Sequence, residues 1–391
     1  MEGKANLLKQ LSKQPFIDHD DGSIFWHGRL YARQLCKKLT PPETTWKCPA
    51  RPRDDHDDGP AWLTASEYQD RDDVLDSKLD GLVQLLMMSS KTVVYTGAGI
   101  SRAAGIGQAA RGKYGGSGKN KTTTAVPSTT HYALAALFQH SLVHSWVQQN
   151  HDGLPQKAGF PQEHINEVHG SWYDPSNPVV VYSGTLKERE CEWMVHDAKT
   201  ADLVLVLGTS LGGLNADQIV HSTARRSLRR KSLGAVLINL QQTEHDGSAS
   251  IRLFGESDEI LTKLLQKLDI ALPASPPPYP ELPRRVLVPY NADGKRSDTA
   301  KMWLDLSTGS AVKLAKGHNI AGAGQPDYDH LNDIAEPQGH VGRWDRKTAA
   351  IRLRIRDTGF LLGQWWIEAA QRGGPPTIPV VNIFPEFEMH E

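Results

Sequence analysis

The chain of 391 residues has few cysteines, no long apolar run and no excess of either charge. Its three cysteines, Cys36, Cys48 and Cys191, are far apart and form no C-x-x-C pair. They therefore predict neither a disulfide framework nor a four-cysteine zinc site, and we expect no bound metal. No apolar run approaches the roughly 20 residues that span a bilayer, which argues against a membrane protein. The N-terminus lacks the apolar core of a secretory signal, so we expect an intracellular protein of the nucleus or cytoplasm.

The charges balance, with 44 Lys and Arg against 45 Asp and Glu. No global charge therefore favours binding to nucleic acid or to an anionic membrane. The basic cluster from Arg225 to Lys231 could contact nucleic acid or act as a nuclear address. At a predicted helix end it is more typical of a solvated last turn, which argues against a nucleic-acid partner. One local imbalance remains: six cations and no acidic residue lie between Lys91 and Asn150, a composition that suits an anionic ligand such as a pyrophosphate.

Composition divides the chain into four segments. Residues 1–72 are rich in Trp, Pro, His and Asp and predict an irregular N-terminal extension, in which Asp54 to Asp58 form a solvated loop and not a metal site. Residues 73–270 form the predicted core. A Pro-rich linker over 271–284 separates it from residues 285–391, whose short β-branched runs predict a β-rich C-terminal extension. The sequence of that extension does not indicate its function.

Periodicity in the core predicts an α/β fold. Residues 73–90 carry one apolar stripe at helical spacing, and the next run, Lys91 to Thr96, is short and β-branched. Further buried strands are predicted at 179–182, 203–207 and 235–240, with helix-like sequence between them. This alternation predicts a doubly wound, Rossmann-like parallel sheet. Such sheets bind ligands at the carboxyl ends of their strands, where this chain has the runs GAGIS, GTSL and NLQQT.

The glycine-rich run Gly97 to Ser101 follows a predicted strand and opens a predicted helix, an arrangement that favours a phosphate. A plain tight turn would explain the glycines equally well. The run also departs from G-x-G-x-x-G, because Arg102 replaces the third glycine and no acidic residue follows at roughly 20 residues to hold a ribose. These departures disfavour an ordinary dehydrogenase. The Gly- and Lys-rich stretch Gly107 to Thr124 predicts either a loop that closes over a ligand or a flexible linker.

Seven short motifs, taken in order, resemble those of the sirtuin family of NAD⁺-dependent protein deacylases. They are TGAGIS with AAGI at 96–106, PSTTHYAL at 127–134, QNHDGL at 149–154, EVHGS at 167–171, GTSL at 208–211, INLQQT at 238–243 and GESDEIL at 255–261. The resemblance covers about residues 75 to 268 and implies a sirtuin-type Rossmann-like fold with NAD⁺ as the cofactor.

The resemblance also implies roles for individual residues. His169 would be the catalytic base, Asn150 and Gln149 would hold the nicotinamide ribose, and Asp152 would bind the nicotinamide amide. Chemistry supports two of these roles, since an Asp accepts hydrogen bonds from a carboxamide and a His that titrates near neutrality can take a proton from a ribose hydroxyl at cellular pH. The remaining cofactor contacts would come from the glycine loop and phosphate loop (Gly97, Ala98, Gly99, Ser101 and Arg111) and, for the adenosine half, from Gly208, Thr209, Ser210, Asn239 and Ser257.

The sequence departs from the family's pattern at three places. The family's P-D-F-R loop is replaced by Gly107 to Arg111, which lacks the aromatic residue that guards nicotinamide. The four-cysteine zinc module is missing, because only SWYDPSN lies between Gly170 and Pro178. The substrate-pairing segment, Val181 to Thr185, has no firm alignment. These departures bear on peptide recognition and on hydrolysis of the cofactor.

The function predicted from the resemblance is NAD⁺-dependent removal of acyl groups from lysine in a protein or peptide, with transfer of the acyl group to ADP-ribose and release of nicotinamide. An NAD⁺ glycohydrolase or a mono-ADP-ribosyltransferase is the alternative that the altered loop and the lost zinc module favour. A catalytically silent NAD⁺-binding scaffold is a third reading. The sequence sets neither the acyl group nor the oligomeric state.

Overall fold

The structure is a computed structural model. It describes residues 2–12, 23–30, 40–53, 60–114, 122–181, 184–212, 215–274, 279–315, 334 and 336–388. The chain divides into two compact units. We call the first the α/β unit (Met1–Lys121, Pro127–Gln148 and Cys191–Ala274) and the second the β-rich unit (Thr122–Val126, Gln149–Glu190 and Ser275–Glu391).

Regular elements occur throughout the described ranges. The helices are α1 (Glu2–Ser12), α2 (Ser23–His27), α3 (Asp72–Met88), α4 (Thr129–Gln139), α5 (Leu154–Lys157), α6 (Glu188–Thr200), α7 (Gln218–Leu228), α8 (Ser257–Lys267) and α9 (Gln364–Gln371). The strands are β1 (Glu43–Trp46), β2 (Glu67–Gln69), β3 (Thr92–Thr96), β4 (Ser145–Gln148), β5 (Ile165–Glu167), β6 (Leu203–Leu207), β7 (Gly234–Ile238), β8 (Ile251–Leu253), β9 (Arg285–Val288), β10 (Met302–Asp305), β11 (Ala311–Leu314), β12 (Gln338–Asp345), β13 (Ala350–Ile355), β14 (Thr358–Gly363), β15 (Val380–Asn382) and β16 (Glu386–Phe387).

Parallel strands form the centre of the α/β unit, where they lie in the order β4, β3, β6, β7, β8. Thr92 pairs with Leu203 and Leu203 pairs with Gly234, so three strands are in step from their first residues. Every residue of β3, β6 and β7 is buried, as expected for a parallel sheet covered on both faces. The predicted parallel α/β sheet is confirmed. The sequence did not reveal β4 and β8, because SWVQ and IRL are short and partly polar.

The predicted helix that leads into the first parallel strand is confirmed as α3, which buries the apolar side chains Val74, Leu75, Leu79, Leu82 and Leu86. The N-terminal extension is more regular than predicted. Its described residues include α1, α2 and an antiparallel pair of strands, β1 and β2. Propensity alone did not indicate these short elements, which form because tertiary contacts stabilise them. The cluster Asp54 to Asp58 lies outside the described residues.

One predicted strand of the core is wrong. Val179 to Val181 has no strand partner, and Tyr182 lies outside the described residues. The backbone N–H of Val180 instead donates to the carbonyl of His169 at 3.0 Å, so this segment folds back on the loop that precedes it. Its β-branched composition allowed an extended backbone but did not decide whether a neighbouring strand was present.

Antiparallel strands dominate the β-rich unit. One sheet has the order β16, β10, β9 and another has the order β14, β13, β12, β11, β15. These strands confirm the predicted β-rich C-terminal segment. The sequence pattern missed β12, β14 and the helix α9, whose apolar residues follow no clear alternation. The segment Gln149–Glu190 belongs to this unit as well. The boundaries predicted at residues 72, 270 and 284 stay predictions.

None of the helices that the structure describes combines the length and the hydropathy of a membrane span.

Candidate functional site

The glycine loop lies directly after β3. Ala98–Ser101 forms a single 3-10 turn and not the longer helix that the sequence predicts, since glycines recur soon afterwards. The backbone N–H of Gly99 donates to the carbonyl of Gly208 at 2.8 Å. A Cβ placed on Gly99 would lie 2.7 Å from the Cα of Gly208, which leaves no room for a side chain. The two loops therefore touch backbone to backbone, and this contact requires glycine.

The loops after β6 and β7 are joined in a similar way. Gly208 has a φ of +60°, the left-handed region that favours glycine. Its N–H donates to the carbonyl of Ile238 at 3.2 Å. The amide Nδ2 of Asn239 donates to the carbonyl of Thr209 at 2.9 Å. Three loops from the carboxyl edge of the sheet are thus locked to one another, as the strand-end runs predicted.

A cleft of about 570 Å³ of empty space, open to solvent, lies at this edge. Six residues predicted to contact the cofactor line it: Gly99, Gly208, Thr209, Ser210, Asn239 and Ser257. The lining also includes Glu67, Arg102, Gln108, Ala110, Ile238, Leu240, Gln241, Gly255 and Glu256. Segments that are far apart in the sequence therefore meet in one cleft. We call it the sheet-edge cleft.

Four other predicted cofactor residues are not among those that line the sheet-edge cleft: Gly97, Ala98, Ser101 and Arg111. Ser101 is buried. The backbone of Arg111 makes two hydrogen bonds. Its N–H donates to the carbonyl of Pro52 at 2.7 Å, and its carbonyl accepts a hydrogen bond from Nε2 of Gln241 at 2.6 Å. Their roles stay predictions.

The chemistry of the sheet-edge cleft fits a nucleotide. Ile238 and Leu240 offer apolar surface for a flat base, and the amide and hydroxyl groups of the lining can bond to a sugar. Arg102 supplies a cation and pairs with Glu256 at the rim. The backbone N–H groups of Gly99 and Gly208 already donate to carbonyls of neighbouring loops, so a phosphate here would be attracted by the charge of Arg102. The residues present can therefore hold a dinucleotide's adenosine and phosphates.

His169 lies in the β-rich unit, in the loop after β5. The next residue, Gly170, has a φ of +86°, and a Cβ there would lie 2.2 Å from the carbonyl oxygen of Pro178. This glycine lets the chain turn sharply straight after the histidine. His151 supports the same turn, because its Nδ1 donates to the carbonyl of Gly170 at 2.9 Å. The histidine predicted to be the base is thus fixed by its neighbours.

Burial sets the charge state of this loop. It lowers the pKa of His169 to about 4, and the nearby His151 contributes in the same direction. The pKa of His151 is also lowered, again mainly by burial. Burial raises the pKa of the Glu167 carboxyl to about 8. At neutral pH, His169 is therefore uncharged, and its pKa lies well below the near-neutral value expected from the sequence because the ring is buried. Glu167 is mostly protonated at this pH.

The residues after β4 precede this loop in the sequence and lie in the same unit. The carboxylate of Asp152 is buried, and its Oδ1 accepts the N–H of Leu154 at 3.0 Å. The backbone carbonyl of Gln149 bonds to the ring of His169. Gln149 and Asn150 are half-buried. The structure therefore places Gln149 in contact with His169. The carboxylate of Asp152, three residues after Gln149, is held by its hydrogen bond to Leu154.

Curated relatives match this chain over about half of its length. The chain is 28% identical over 259 residues to the NAD-dependent protein deacetylase SRT1 of Arabidopsis thaliana. The match covers 53% of this chain and 53% of that one. It is 28% identical over 264 residues to the NAD-dependent protein deacetylase Sirt6 of Drosophila melanogaster, covering 54% of this chain and 81% of that one. It is 28% identical over 258 residues to human NAD-dependent protein deacetylase sirtuin-7, covering 53% of this chain and 64% of that one.

About half of this chain is sirtuin-like. The chain spans about half the length of the first relative and nearly two thirds of the human one. A solved Sir2–p53 peptide–NAD⁺ structure is 22% identical, covers 49% of this chain and 98% of that chain, and gives a TM-score of 0.43. No protein-family model matches the chain.

The C-terminal strands carry a feature that the sirtuin-like motifs do not indicate. Tyr173, four residues after His169, is fully buried in the core of these strands. Its ring centroid lies 4.9 Å from that of Trp365 in an edge-to-face arrangement, and its carbonyl accepts the N–H of Gly363 at 3.0 Å. A Cβ on Gly153 would meet both rings within 3 Å. The sequence did not indicate a role for the C-terminal segment. In the structure this segment packs on the loop that carries His169.

Groups of three or more possible metal-ligating side chains do not occur among the residues that the structure describes.

Proposed function

We propose that this sirtuin-like chain is an NAD⁺-dependent protein-lysine deacylase. In the overall reaction, acyl-lysine, NAD⁺ and water would give free lysine, nicotinamide and O-acyl-ADP-ribose. One observation carries the proposal: six residues from four separate sirtuin-like motifs line a single cleft at the carboxyl edge of the sheet. The relatives' names, which describe NAD-dependent protein deacetylases, support it.

The sheet-edge cleft would hold the adenosine half of the cofactor. Gly99 and Gly208 would leave room for the phosphates, and Asn239, Ser210 and Ser257 would offer amide and hydroxyl groups to the sugar. Gly97, Ala98, Ser101 and Arg111 complete the proposed set of cofactor residues. The locked backbone of the three loops supports this role, because a rigid site loses little entropy on binding.

The reacting half of the cofactor would be held by residues of the motifs QNHDGL and EVHGS. When bound, NAD⁺ supplies a glycosidic bond to nicotinamide that can be cleaved. Gln149 and Asn150 would position the ribose beside that bond, and the buried carboxylate of Asp152 would accept hydrogen bonds from the nicotinamide amide. His169 would take a proton from a ribose hydroxyl at a ring nitrogen, and its low pKa keeps the ring neutral for this step.

The proposed substrate is an acyl-lysine in a protein or peptide. We further propose that the protein works inside the cell, in the nucleus or cytoplasm, because its few separated cysteines suit a reducing compartment.

The test is product analysis by mass spectrometry after incubation of the protein with NAD⁺ and an acyl-lysine peptide. Deacylation predicts the deacylated peptide, nicotinamide and O-acyl-ADP-ribose in equal amounts. Nicotinamide release should be faster when the peptide is present. Release of ADP-ribose alone, at a rate that the peptide does not change, would favour a glycohydrolase. The altered loop at Ala109 and Ala110 favours the glycohydrolase alternative, because it has no aromatic side chain to exclude water from the cofactor. No consumption of NAD⁺ with a broad panel of acyl-peptides would favour the silent scaffold.

A further inference from the structure

Glu67 is a carboxylate in the sheet-edge cleft that no sirtuin-like motif contains. It belongs to the N-terminal extension, where it begins β2. Its backbone forms an antiparallel bridge with Gln241, and the next N–H, that of Tyr68, donates to the carbonyl of Leu240 at 2.9 Å. The extension therefore lies along the loop that follows β7 and delivers an acidic side chain to the cleft.

The side chain of Glu67 is buried and can accept further hydrogen bonds. The residue is only 4% exposed and lines the cleft beside Asn239 and Gln241. Its Oε1 accepts the backbone N–H of Lys113 at 2.8 Å. Among the described residues, the carboxylate accepts this one hydrogen bond. Its two oxygens have about four lone pairs and could accept more. A buried carboxylate with unused acceptors favours a ligand that donates hydrogen bonds.

Ribose hydroxyls are such donors. Many dinucleotide sites place an acidic side chain on the adenosine ribose, where it accepts the 2′-hydroxyl and opposes a 2′-phosphate. In those sites the acid follows the glycine loop by about 20 residues, and this chain has no acidic residue in that stretch. Glu67 lies upstream of the loop, yet the fold brings it to the same cleft. The other cleft carboxylate, Glu256, is already paired with Arg102.

We propose that Glu67 is a specificity-determining cofactor residue: it accepts a hydrogen bond from the 2′-hydroxyl of the adenosine ribose and thereby selects NAD⁺ over NADP⁺. This inference rests on the proposed function, because it assumes that the sheet-edge cleft holds the adenosine half of NAD⁺. A purely structural role, in which Glu67 only fixes the loop at Lys113, makes a different prediction: loss of the side chain would then weaken every nucleotide to the same degree.

Calorimetric binding measurements on the full chain separate these roles. The ligands are NAD⁺, NADP⁺ and an NAD⁺ analogue that lacks the 2′-hydroxyl of its adenosine ribose. A hydrogen bond to a charged group contributes enough for about a tenfold to hundredfold difference in Kd. We therefore expect the wild-type protein to bind the analogue about tenfold more weakly than NAD⁺ and NADP⁺ at least about 100-fold more weakly.

Glu67→Ala should remove this discrimination, so that NAD⁺ and the analogue bind within about threefold of each other. Glu67→Gln, which keeps the size of the side chain, should improve binding of NADP⁺ relative to NAD⁺ by about tenfold or more. Glu43→Gln is the matched control, because it removes an exposed carboxylate from the same pair of strands and should leave both ratios unchanged. Melting temperatures of all variants check that they are folded.

The wild-type measurement alone can overturn the inference, whatever the variants do. Equal binding of NAD⁺ and the analogue by wild-type protein would remove Glu67 from ribose recognition. An equal loss of affinity for all three ligands in Glu67→Ala would leave it only a structural role. Failure of the wild-type protein to bind NAD⁺ at all would overturn the proposed function and this inference together, whereas tight binding without discrimination overturns the inference alone.

Discussion

The low pKa of His169 predicts activity that persists into acid solution. An ordinary histidine has a pKa of 6.5, and burial together with His151 lowers that of His169 to about 4. At pH 5.5 an ordinary histidine is about 10% neutral, whereas one with a pKa of about 4 is about 97% neutral. If His169 is the base, the fraction of active enzyme at pH 5.5 is therefore about tenfold larger than for an unperturbed residue.

The assay is nicotinamide release with an acyl-lysine peptide, measured as kcat/KM from pH 4 to pH 8. This ratio reports the titrating groups of the free enzyme. We expect the acid limb to have its midpoint near the pKa of about 4. His151→Asn removes the second cause of the shift and leaves burial, so its midpoint should move part of the way towards 6.5.

A wild-type midpoint between about 6 and 7 would refute this reasoning, because it would mean that the base titrates as an ordinary histidine. An unchanged midpoint in His151→Asn would remove the charge effect of His151. Thermal unfolding at each pH controls for acid denaturation. Only data from conditions in which the protein is folded are compared.

Three further predictions follow from the same structure. His169→Ala should bind NAD⁺ with nearly the wild-type Kd but lower turnover by about 100-fold or more, and retention of most deacylase activity would exclude it as the base. Because burial raises the pKa of Glu167 to about 8, its stabilising contribution is present below pH 4.5 and lost as the pH rises through 8. The melting temperature of Glu167→Gln relative to wild type should therefore be higher at pH 9 than at pH 5, and a difference independent of pH would contradict the assignment. Trp365→Ala should lower the free energy of unfolding of the β-rich unit by about 3–5 kcal/mol and reduce kcat, since Trp365 packs on Tyr173. Normal kcat in the folded variant would show that this packing does not support the His169 loop, and Trp303→Ala, at a half-buried position of β10, is the control.

The sequence alone predicted the elements whose residues follow a strong local pattern. The stripe of α3 and the continuous apolar runs of β3, β6 and β7 are confirmed, because a helix or a fully buried strand imposes its own period on the residues that form it. The runs at the carboxyl ends of these strands also predicted where the loops would meet. Parallel strands end at one edge, so this follows from topology without side-chain detail.

Short elements gave no such signal. The strands β4 and β8 have three or four residues each, too few for a period to appear. Val179 to Val181 shows the opposite error, since it has the composition of a strand without the pairing. Whether an extended segment joins a sheet depends on a neighbour that is elsewhere in the sequence.

Two features of the candidate site were decided only by tertiary structure. Glu67 lies in a region without a recognisable motif, and it lines the sheet-edge cleft because the backbone of β2 runs beside Gln241. Tyr173 was one residue of a short linking segment, and it became part of a core because the C-terminal strands pack around it. Local pattern records only what a residue's own helix or strand requires. Contacts between distant segments depend on how the whole chain packs, and a single sequence carries no local trace of that packing.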